Sequence, residues 1–206
     1  GYDGKGQLLI NYDTKEVHIK EHLLNGPCIL ESFINFDKEL SVIIARNEIG
    51  DVVSFDPGEN IHKSGILHST TVPSQTPKSL QLDAILVAGK IVNALDYVGV
   101  LGVELFIKQN REIIVNEIAP RVHNSGHWTQ NGCTVDQFEQ HLRAICGRVL
   151  GDGERYANVT MINIIGKQIN RSLNISSAAT HLYGKKEVRA GRKMGHINHV
   201  TSLTIK

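Results

Sequence analysis

The chain has 206 residues, and its 22 basic and 21 acidic side chains give a formal net charge of +1 at pH 7. A chain of this length can bury the core of one large or two small domains. Acids and bases are interspersed, which excludes the charged surface expected of a protein that binds nucleic acid or a membrane. Three cysteines at unrelated spacings argue against a disulfide framework and indicate a reducing cytosol.

The first half of the chain predicts a series of short strands followed by one long helix. Apolar segments bounded by turn residues predict strands at residues 7–12, 27–34, 38–46, 52–55 and 66–72, with a turn at residues 56–60. The helix is predicted over residues 77–95. Its apolar residues recur at helical spacing at Leu80, Ala84, Val87, Ile91 and Leu95.

The second half predicts a hairpin, a helix and a strand-rich tail. The hairpin pairs residues 98–107 with residues 112–118, and the helix runs over residues 134–146 between a Thr134 cap and Gly147. Strands in the tail are expected at residues 158–165, 180–183 and 195–200. Strands against two long helices indicate an α+β fold, which we divide into domains at residues 1–150 and 151–206.

Glu104 and Glu117, on the two arms of the hairpin, are candidate metal ligands. If residues 108 and 111 face each other across the turn, residue 104 pairs with 115, and both glutamates lie on one face as diagonal neighbours. Carboxylates this close repel each other unless a cation lies between them, and their oxygens suit magnesium. A turn of odd length would place them on opposite faces, as ordinary exposed residues.

The chain opens with a glycine-rich loop, residues 1–7 (GYDGKGQ). Glycine allows backbone N–H groups to converge on a phosphate, although a flexible hairpin tip is the alternative interpretation. The loop lacks the ending of a Walker A motif. Because the sequence begins inside this loop and not with methionine, we expect a fragment whose N-terminal part is missing.

Two other groups of residues are candidates for binding a nucleotide or an anion. Glu31 precedes a segment whose backbone can meet an adenine edge, and Glu39 can accept hydrogen bonds from ribose hydroxyls; the alternative is a pair of surface carboxylates. The basic residues in the range 185–193 lie between two strand-like segments, which favours an anion site over a solvated face.

Residues 117–129 (EIAPRVHNSGHWT) concentrate polar side chains directly after an apolar strand. A strand that only builds a core does not need them, whereas a site for a metal, a phosphate and a small anion does. Zinc is the alternative for His123 and His127, but Pro120 and Gly126 disfavour the helix that would align the two imidazoles.

The glycine-rich loop, residues 116–132 (NEIAPRVHNSGHWTQNG) and residues 183–196 (YGKKEVRAGRKMGH) together resemble the 5-(carboxyamino)imidazole ribonucleotide synthases, ATP-grasp carboxylases of purine biosynthesis. The resemblance covers essentially the whole chain. It implies the C-terminal part of an ATP-grasp domain, an antiparallel sheet with helices, followed by a small β-rich domain.

The resemblance also implies which residues bind each ligand. ATP would be held by the loop residues Gly1, Gly4, Lys5, Gly6 and Gln7, by a hinge of Glu31, Ser32, Phe33 and Ile34, and by Glu39, His62, Asn116 and Glu117. Magnesium would be held by Glu104 and Glu117. The ribonucleotide and bicarbonate would meet Tyr2, Asp3, Lys5, Arg121, His123, Arg192 and either Lys185 or Lys186.

The reaction implied is the attack of bicarbonate on the γ-phosphate of ATP, followed by carboxylation of 5-aminoimidazole ribonucleotide. Arg121 would clamp the bicarbonate, His123 would orient it or handle a proton, and Asp3 would accept the amine proton. A cytoplasmic homodimer that works with the mutase consuming its product is also implied. The alternatives are another ATP-grasp carboxylase or formyl-transfer ligase, or an inactive nucleotide-binding fragment.

Overall fold

The computed structural model of the protein describes residues 6–172 and 178–203. Within these ranges the strands are β1 (Lys38–Arg46), β2 (Val52–Ser54), β3 (Gly58–Lys63), β4 (Ile66–Val72), β5 (Gly99–Ile107), β6 (Ile113–Ala119), β7 (Ala157–Ile165), β8 (Ala179–Leu182) and β9 (Lys193–Ser202). They form one sheet in the order β6-β5-β1-β3-β4-β7-β9-β8, with β2 paired to β1 off this path. The strand pairs are antiparallel, and the predicted α+β class is confirmed.

The helices of the described residues are α1 (Glu16–Leu23), α2 (Lys78–Ala94), α3 (Thr129–Gly132), α4 (Gln137–Ile145) and α5 (Ile169–Ser172). Single 3-10 turns occupy Asn124–Gly126 and Gly166–Gln168. None of the helices in this part of the chain has both the length and the apolar character required to cross a bilayer.

Two apolar cores lie on opposite faces of the sheet, and β1 contributes to both because its side chains alternate. Val42 and Ile44 pack in the core that α2 covers, whereas Ile43 and Ala45 pack in the core around Trp128. Full burial of side chains of this size stabilises the fold by roughly 1.5–3 kcal/mol each. The central strands are therefore a rigid support for the polar side chains at their ends.

The C-terminal strands extend the same sheet. Strand β7 pairs with β4 from Ser69↔Ile162 to Val72↔Val159, and β9 then pairs with β7 along its length. A small third core, formed by Ile164, Met194 and Ile197, closes this end. The division into domains at residue 150 remains a prediction.

Two predicted strands, at residues 7–12 and 27–34, are wrong. Both segments lack a strand partner within the described residues, and the apolar side chains of Leu9, Ile10, Ile29 and Leu30 are exposed. A strand needs a neighbouring strand for its backbone hydrogen bonds, so an apolar composition alone does not produce one. The short helix α1 between these segments was not expected, and none of its residues is buried.

The remaining predicted elements are confirmed within a few residues, with two corrections. Strand β3 was not predicted, and it begins at Gly58, inside the turn predicted for residues 56–60. Helix α4 begins at Gln137, because the Asp136 carboxylate, and not Thr134, accepts hydrogen bonds from the backbone N–H groups of Phe138 and Glu139. Gly147, with φ +63°, follows the end of this helix as expected.

Candidate functional site

The hairpin of β5 and β6 brings Glu104 and Glu117 directly opposite each other. Close to the turn the register is Leu105↔Val115, which is the odd-length turn that would separate the two carboxylates. A β-bulge then places Asn116 as an extra residue, and the pairing resumes at Glu104↔Glu117. The predicted register was wrong, but the bulge restores both carboxylates to one face.

These carboxylates and the imidazole of His123 form a group that fits a metal ion. One ligand atom from each of the three side chains lies within 4.8 Å of the others. Burial raises the pKa of Glu104, and the neighbouring charge of Glu117 raises it further. Oxygen ligands that repel each other in this way favour a divalent cation such as magnesium.

His123 is held in place by contacts on three sides. Its Nδ1 lies 2.9 Å from Ser125 Oγ, and its Nε2 lies 3.8 Å from Glu104 Oε1. A Cβ on Gly102 of β5 would lie 2.7 Å from the His123 Cβ, so only glycine leaves room for the ring. Burial lowers the pKa of His123 to about 3, with a smaller effect from the charge of Arg121. The imidazole is therefore neutral at pH 7.

Glu39 of β1 and His62 of β3 form a second polar pair, in which His62 Nδ1 contacts the Glu39 carboxylate. Burial lowers the pKa of His62, but the hydrogen bond to Glu39 and the charges of Glu39 and Glu104 outweigh it, so the net pKa is raised. Both residues border the main cleft and a side cavity of about 210 Å³. This cavity is bounded by Phe36, whose ring stacks on Phe106 with centroids 4.3 Å apart.

The basic loop between β8 and β9 lies at the same cleft. Lys185 donates to the carbonyl of Lys193 (2.7 Å), and its Nζ lies 5.3 Å from the centre of the Tyr183 ring. Arg192 donates to the carbonyl of Glu187 (3.0 Å). These contacts hold the loop as a fixed basic surface, which suits an anionic ligand.

One cleft of about 850 Å³ collects most of the predicted residues that the structure describes. They are Gln7, Glu39, His62, Glu104, Asn116, Glu117, Arg121, His123, Lys185 and Arg192. Of the two adjacent lysines, Lys185 lines the cleft and Lys186 is exposed outside it. Acidic and basic side chains thus face one space, although they come from distant parts of the sequence.

The other predicted residues that the structure describes do not line this cleft. Gly6 is exposed in a turn, and Glu31, Ser32, Phe33 and Ile34 lie in an extended segment that lines neither cavity. Gly1, Tyr2, Asp3, Gly4 and Lys5 lie outside the described residues. The roles assigned to all of these residues remain predictions.

Several residues that line the cleft were not predicted as site residues. Phe106 follows Glu104 by two positions on the same strand, and this period of two could have identified it. Asn124, His127 and Lys193 lie within the quoted motifs, but nothing in the sequence gave their orientation. Asn124 exchanges two amide hydrogen bonds (2.9 and 2.7 Å) with Asn163 of β7, which joins the loop after β6 to the C-terminal strands.

Comparison with known proteins places the chain in a class. A family model described as an ATP-grasp domain matches residues 1–138, and one described as a phosphoribosylaminoimidazole carboxylase C-terminal domain matches residues 159–204. The chain belongs to the ATP-grasp family. It is 47% identical over 210 residues to the N5-carboxyaminoimidazole ribonucleotide synthase of Brucella melitensis biotype 1, and the match covers 100% of this chain and 58% of that protein.

Solved structures give the same result. The ADP complex of an N5-carboxyaminoimidazole ribonucleotide synthetase matches with a TM-score of 0.92 and 42% identity, over 98% of this chain and 54% of that one. The Aspergillus clavatus enzyme in complex with ADP and 5-aminoimidazole ribonucleotide matches with a TM-score of 0.76 and 35% identity, over 81% and 47% of the two chains. The chain thus spans about half the length of the relatives it matches, and the resemblance predicted from its motifs is confirmed.

Proposed function

We propose that this chain forms part of an ATP-dependent carboxylase that converts 5-aminoimidazole ribonucleotide into 5-(carboxyamino)imidazole ribonucleotide in purine biosynthesis. The observation that carries the proposal is the single cleft that joins the Glu104–Glu117 pair to the basic loop. A metal-bound nucleotide needs the acidic pair, and a phosphorylated second substrate needs the basic residues. The synthases that this chain resembles have names that describe this reaction.

The nucleotide is assigned to the side of the cleft that holds Glu39 and His62. Glu39 would accept hydrogen bonds from the ribose hydroxyls, and the ring of Phe106 offers an apolar surface for the base. The hinge at residues 31–34 and the glycine-rich loop at residues 1–7 are assigned to adenine and to the phosphates by resemblance alone. The loop would cover the phosphates as a lid, because an acyl phosphate exposed to water is lost by hydrolysis.

Glu104 and Glu117 are assigned to magnesium, with Asn116 beside them on the bulge. The donor set fits this ion, because two carboxylates on rigid strands lie within 4.8 Å of each other. Magnesium bound there would neutralise charge on the phosphate oxygens during transfer of the γ-phosphoryl group.

In the first step an oxygen of bicarbonate attacks the γ-phosphorus, the bond to the ADP oxygen breaks, and carboxyphosphate forms. Arg121 is assigned to the anion, because a planar guanidinium can pair with two of its oxygens. In the second step the exocyclic amine of the ribonucleotide bonds to the carboxyl carbon, the bond from that carbon to the phosphate oxygen breaks, and phosphate leaves; the amine proton is assigned to Asp3 by resemblance alone. Since His123 is neutral at pH 7 with a pKa near 3, we favour orientation of the anion over proton uptake as its role.

The proposal is tested by measuring phosphate release from ATP by the full-length protein in bicarbonate, with and without 5-aminoimidazole ribonucleotide. We expect release to rise strongly with the ribonucleotide; release that ignores it would overturn the assigned substrate. Glu117→Gln should abolish magnesium-dependent turnover, whereas Glu112→Gln, the same change at an exposed turn residue of the hairpin, should not. Normal turnover by Glu117→Gln would remove the metal assignment.

Arg121 is tested separately by the substitution Arg121→Lys. The charge is kept, but a lysine ammonium cannot form the two parallel hydrogen bonds of a guanidinium, so we expect bicarbonate-dependent release to fall by about 10- to 100-fold. Near-normal carboxylation by this variant would exclude Arg121 from the bicarbonate site.

The cellular setting is also proposed by resemblance. A cytosolic location agrees with Cys28, Cys133 and Cys146, which are all free thiols. A homodimer and a functional link to the mutase that consumes the product complete the proposal. Sedimentation of the purified full-length protein would test the dimer, since a monomer at all concentrations would contradict it.

A further inference from the structure

His127 occupies a fixed place on the wall of the cleft. Its ring lies between Phe138 of α4 (centroids 5.5 Å apart, planes at 12°) and His196 of β9 (4.7 Å, 22°). Tyr183 meets the ring edge-on at 5.9 Å. Because stacking on both faces fixes the plane of the imidazole, the positions of its two nitrogens are fixed as well.

The nearby side chain of Gln137 has only one possible orientation. Its Oε1 lies 2.9 Å from the backbone N of His123, and its Nε2 lies 2.8 Å from the carbonyl oxygen of the same residue. A backbone N–H can only donate and a carbonyl can only accept. Rotating the amide by 180° would place the Nε2 donor against the backbone N–H and the Oε1 acceptor against the carbonyl oxygen. The placement of the amide oxygen and nitrogen therefore follows from the backbone.

This orientation determines the tautomer of His127. The Gln137 Nε2 also lies 2.9 Å from His127 Nδ1, and an amide nitrogen can only donate. Nδ1 must therefore accept, which leaves the ring hydrogen on Nε2. Burial and then the charge of His181 lower the pKa of His127 to about 4, so the ring is neutral at pH 7, with Nε2–H as its donor.

We propose that His127 is a substrate-binding residue, a neutral imidazole whose Nε2–H donates a hydrogen bond to an anionic oxygen of the ribonucleotide. Gln137 is its positioning residue. The inference rests on the proposed function and extends it to a residue for which the resemblance implied no role. The ribonucleotide is favoured over ATP because His127 contacts Tyr183 and His196, which lie on the side of the basic loop with Lys185.

A neutral donor adds something that the neighbouring cations do not supply. Arg121 and Lys185 provide charge, and a charge attracts an anion from many directions. An N–H on a ring that is stacked on both faces donates well only to an oxygen lying near the plane of the ring. His127 would therefore select for the orientation of the ligand, and the cations would select for its negative charge.

The first test is a nuclear magnetic resonance measurement of the full-length protein labelled with ¹⁵N-histidine at pH 7, with the His127 signals assigned by their loss in His127→Phe. We expect a neutral ring with hydrogen on Nε2; hydrogen on Nδ1, or a protonated ring, would overturn the inference. In Gln137→Glu the carboxylate can only accept, so the hydrogen should move to Nδ1 or the ring should become protonated. An unchanged tautomer in that variant would also overturn it.

The second test is kinetic. His127→Phe keeps the stacking but removes the donor, so the KM for the ribonucleotide should rise by about 10- to 100-fold, the effect of one hydrogen bond to a charged group, while the KM for ATP stays unchanged. His127→Gln, which carries an N–H near the position of Nε2, should recover most of the affinity. His199→Phe, the same change on β9 outside the cleft, is the matched control.

The outcomes separate this inference from the function on which it rests. If the wild type ignores the ribonucleotide, the proposed function fails. If the wild type responds to it and His127→Phe binds it as well as the wild type does, only the role of His127 fails. A rise in the KM for ATP alone would also contradict the role. A purely structural role would lower stability in both His127 variants and would not be rescued by glutamine.

Discussion

Glu117→Gln should change the stability of the protein in opposite directions with and without magnesium. Burial, and then the charge of Glu117, raise the pKa of Glu104 above its ordinary value of 4.5. A raised pKa in the folded state means that the contribution of Glu104 to stability is present below pH 4.5 and is lost as the pH rises through the folded pKa. At pH 7 the ion-free pair therefore destabilises the fold, and removing one charge relieves it.

The magnitude follows from the separation of the two groups. The ligand atoms of the two groups lie within 4.8 Å of each other, and two unit charges at that separation repel by about 3.5 kcal/mol at an effective dielectric constant of about 20. Glu117 is exposed to solvent, and this screening leaves about 1–2 kcal/mol. For a domain of this size, relieving that repulsion raises the Tm by about 2–8 °C. With magnesium and ADP present at about 100 times the Kd, the wild type should gain about 2.7 kcal/mol, and the variant much less.

The assay is thermal denaturation at pH 7 of the wild type and of Glu117→Gln, with chelator and with magnesium and ADP. The variant should melt above the wild type in chelator and below it with the ligands. Glu112→Gln is the matched control, because it removes a carboxylate from the same hairpin at an exposed position, and it should show no such reversal. A variant that is destabilised in chelator, or that gains as much from magnesium and ADP as the wild type, would refute the reasoning.

Three further substitutions test the scaffold of the site. Gly102→Ala places a Cβ 2.7 Å from the Cβ of His123. It should lower the free energy of unfolding by about 1–3 kcal/mol, measured by thermal denaturation, and should remove most of the turnover. Gly89→Ala, in open space on α2, should instead stabilise by about 0.5–1 kcal/mol. Glu39→Gln removes the partner that raises the pKa of His62 above 6.5. Its cost in urea denaturation should be largest below pH 6.5 and should shrink as the pH rises through the folded pKa of His62; a cost independent of pH would contradict this.

Strand β1 and helix α2 were predictable because their signals are local. Strand β1 has a run of β-branched residues, and the apolar positions of α2 recur at helical spacing, so both were located within one or two residues. Residues 7–12 and 27–34 carry the same composition as a strand. Pairing with another strand is not a local property, and the sequence does not reveal whether a partner exists.

The carboxylate pair shows where local reasoning stops. Glu104 and Glu117 were correctly placed on one face, but by a register that the structure contradicts. The turn has odd length, and the bulge at Asn116 compensates for it. A bulge adds one residue to one strand and has no fixed sequence signature, so the sequence did not predict it. The error in the length of the turn and the omission of the bulge shifted the predicted register in opposite directions and cancelled.

The motif residues of the cleft were predictable only through the resemblance to a known family. The orientation of Lys185 toward the cleft and of Lys186 away from it depends on β8 and β9, which pair across a loop of ten residues, 183–192. The tautomer of His127 depends on Gln137, which the sequence identifies only as a polar residue in a predicted helix. Such contacts are determined by tertiary structure, and they cannot be predicted from the local patterns of a single sequence.

The irregularities of the sheet explain how distant residues reach one cleft. Strands β5 and β9 are separated by five strand spacings, about 24 Å in a flat sheet, yet Glu104 and Lys193 line the same space. Register shifts interrupt the pairing beside Glu104, at His62, and between Ile164 and Ile165 opposite Lys193. A bulge bends its strand and redirects a side chain. Each shift lies next to a residue of the cleft, so the features that curve the sheet are also those that aim its charged groups inward.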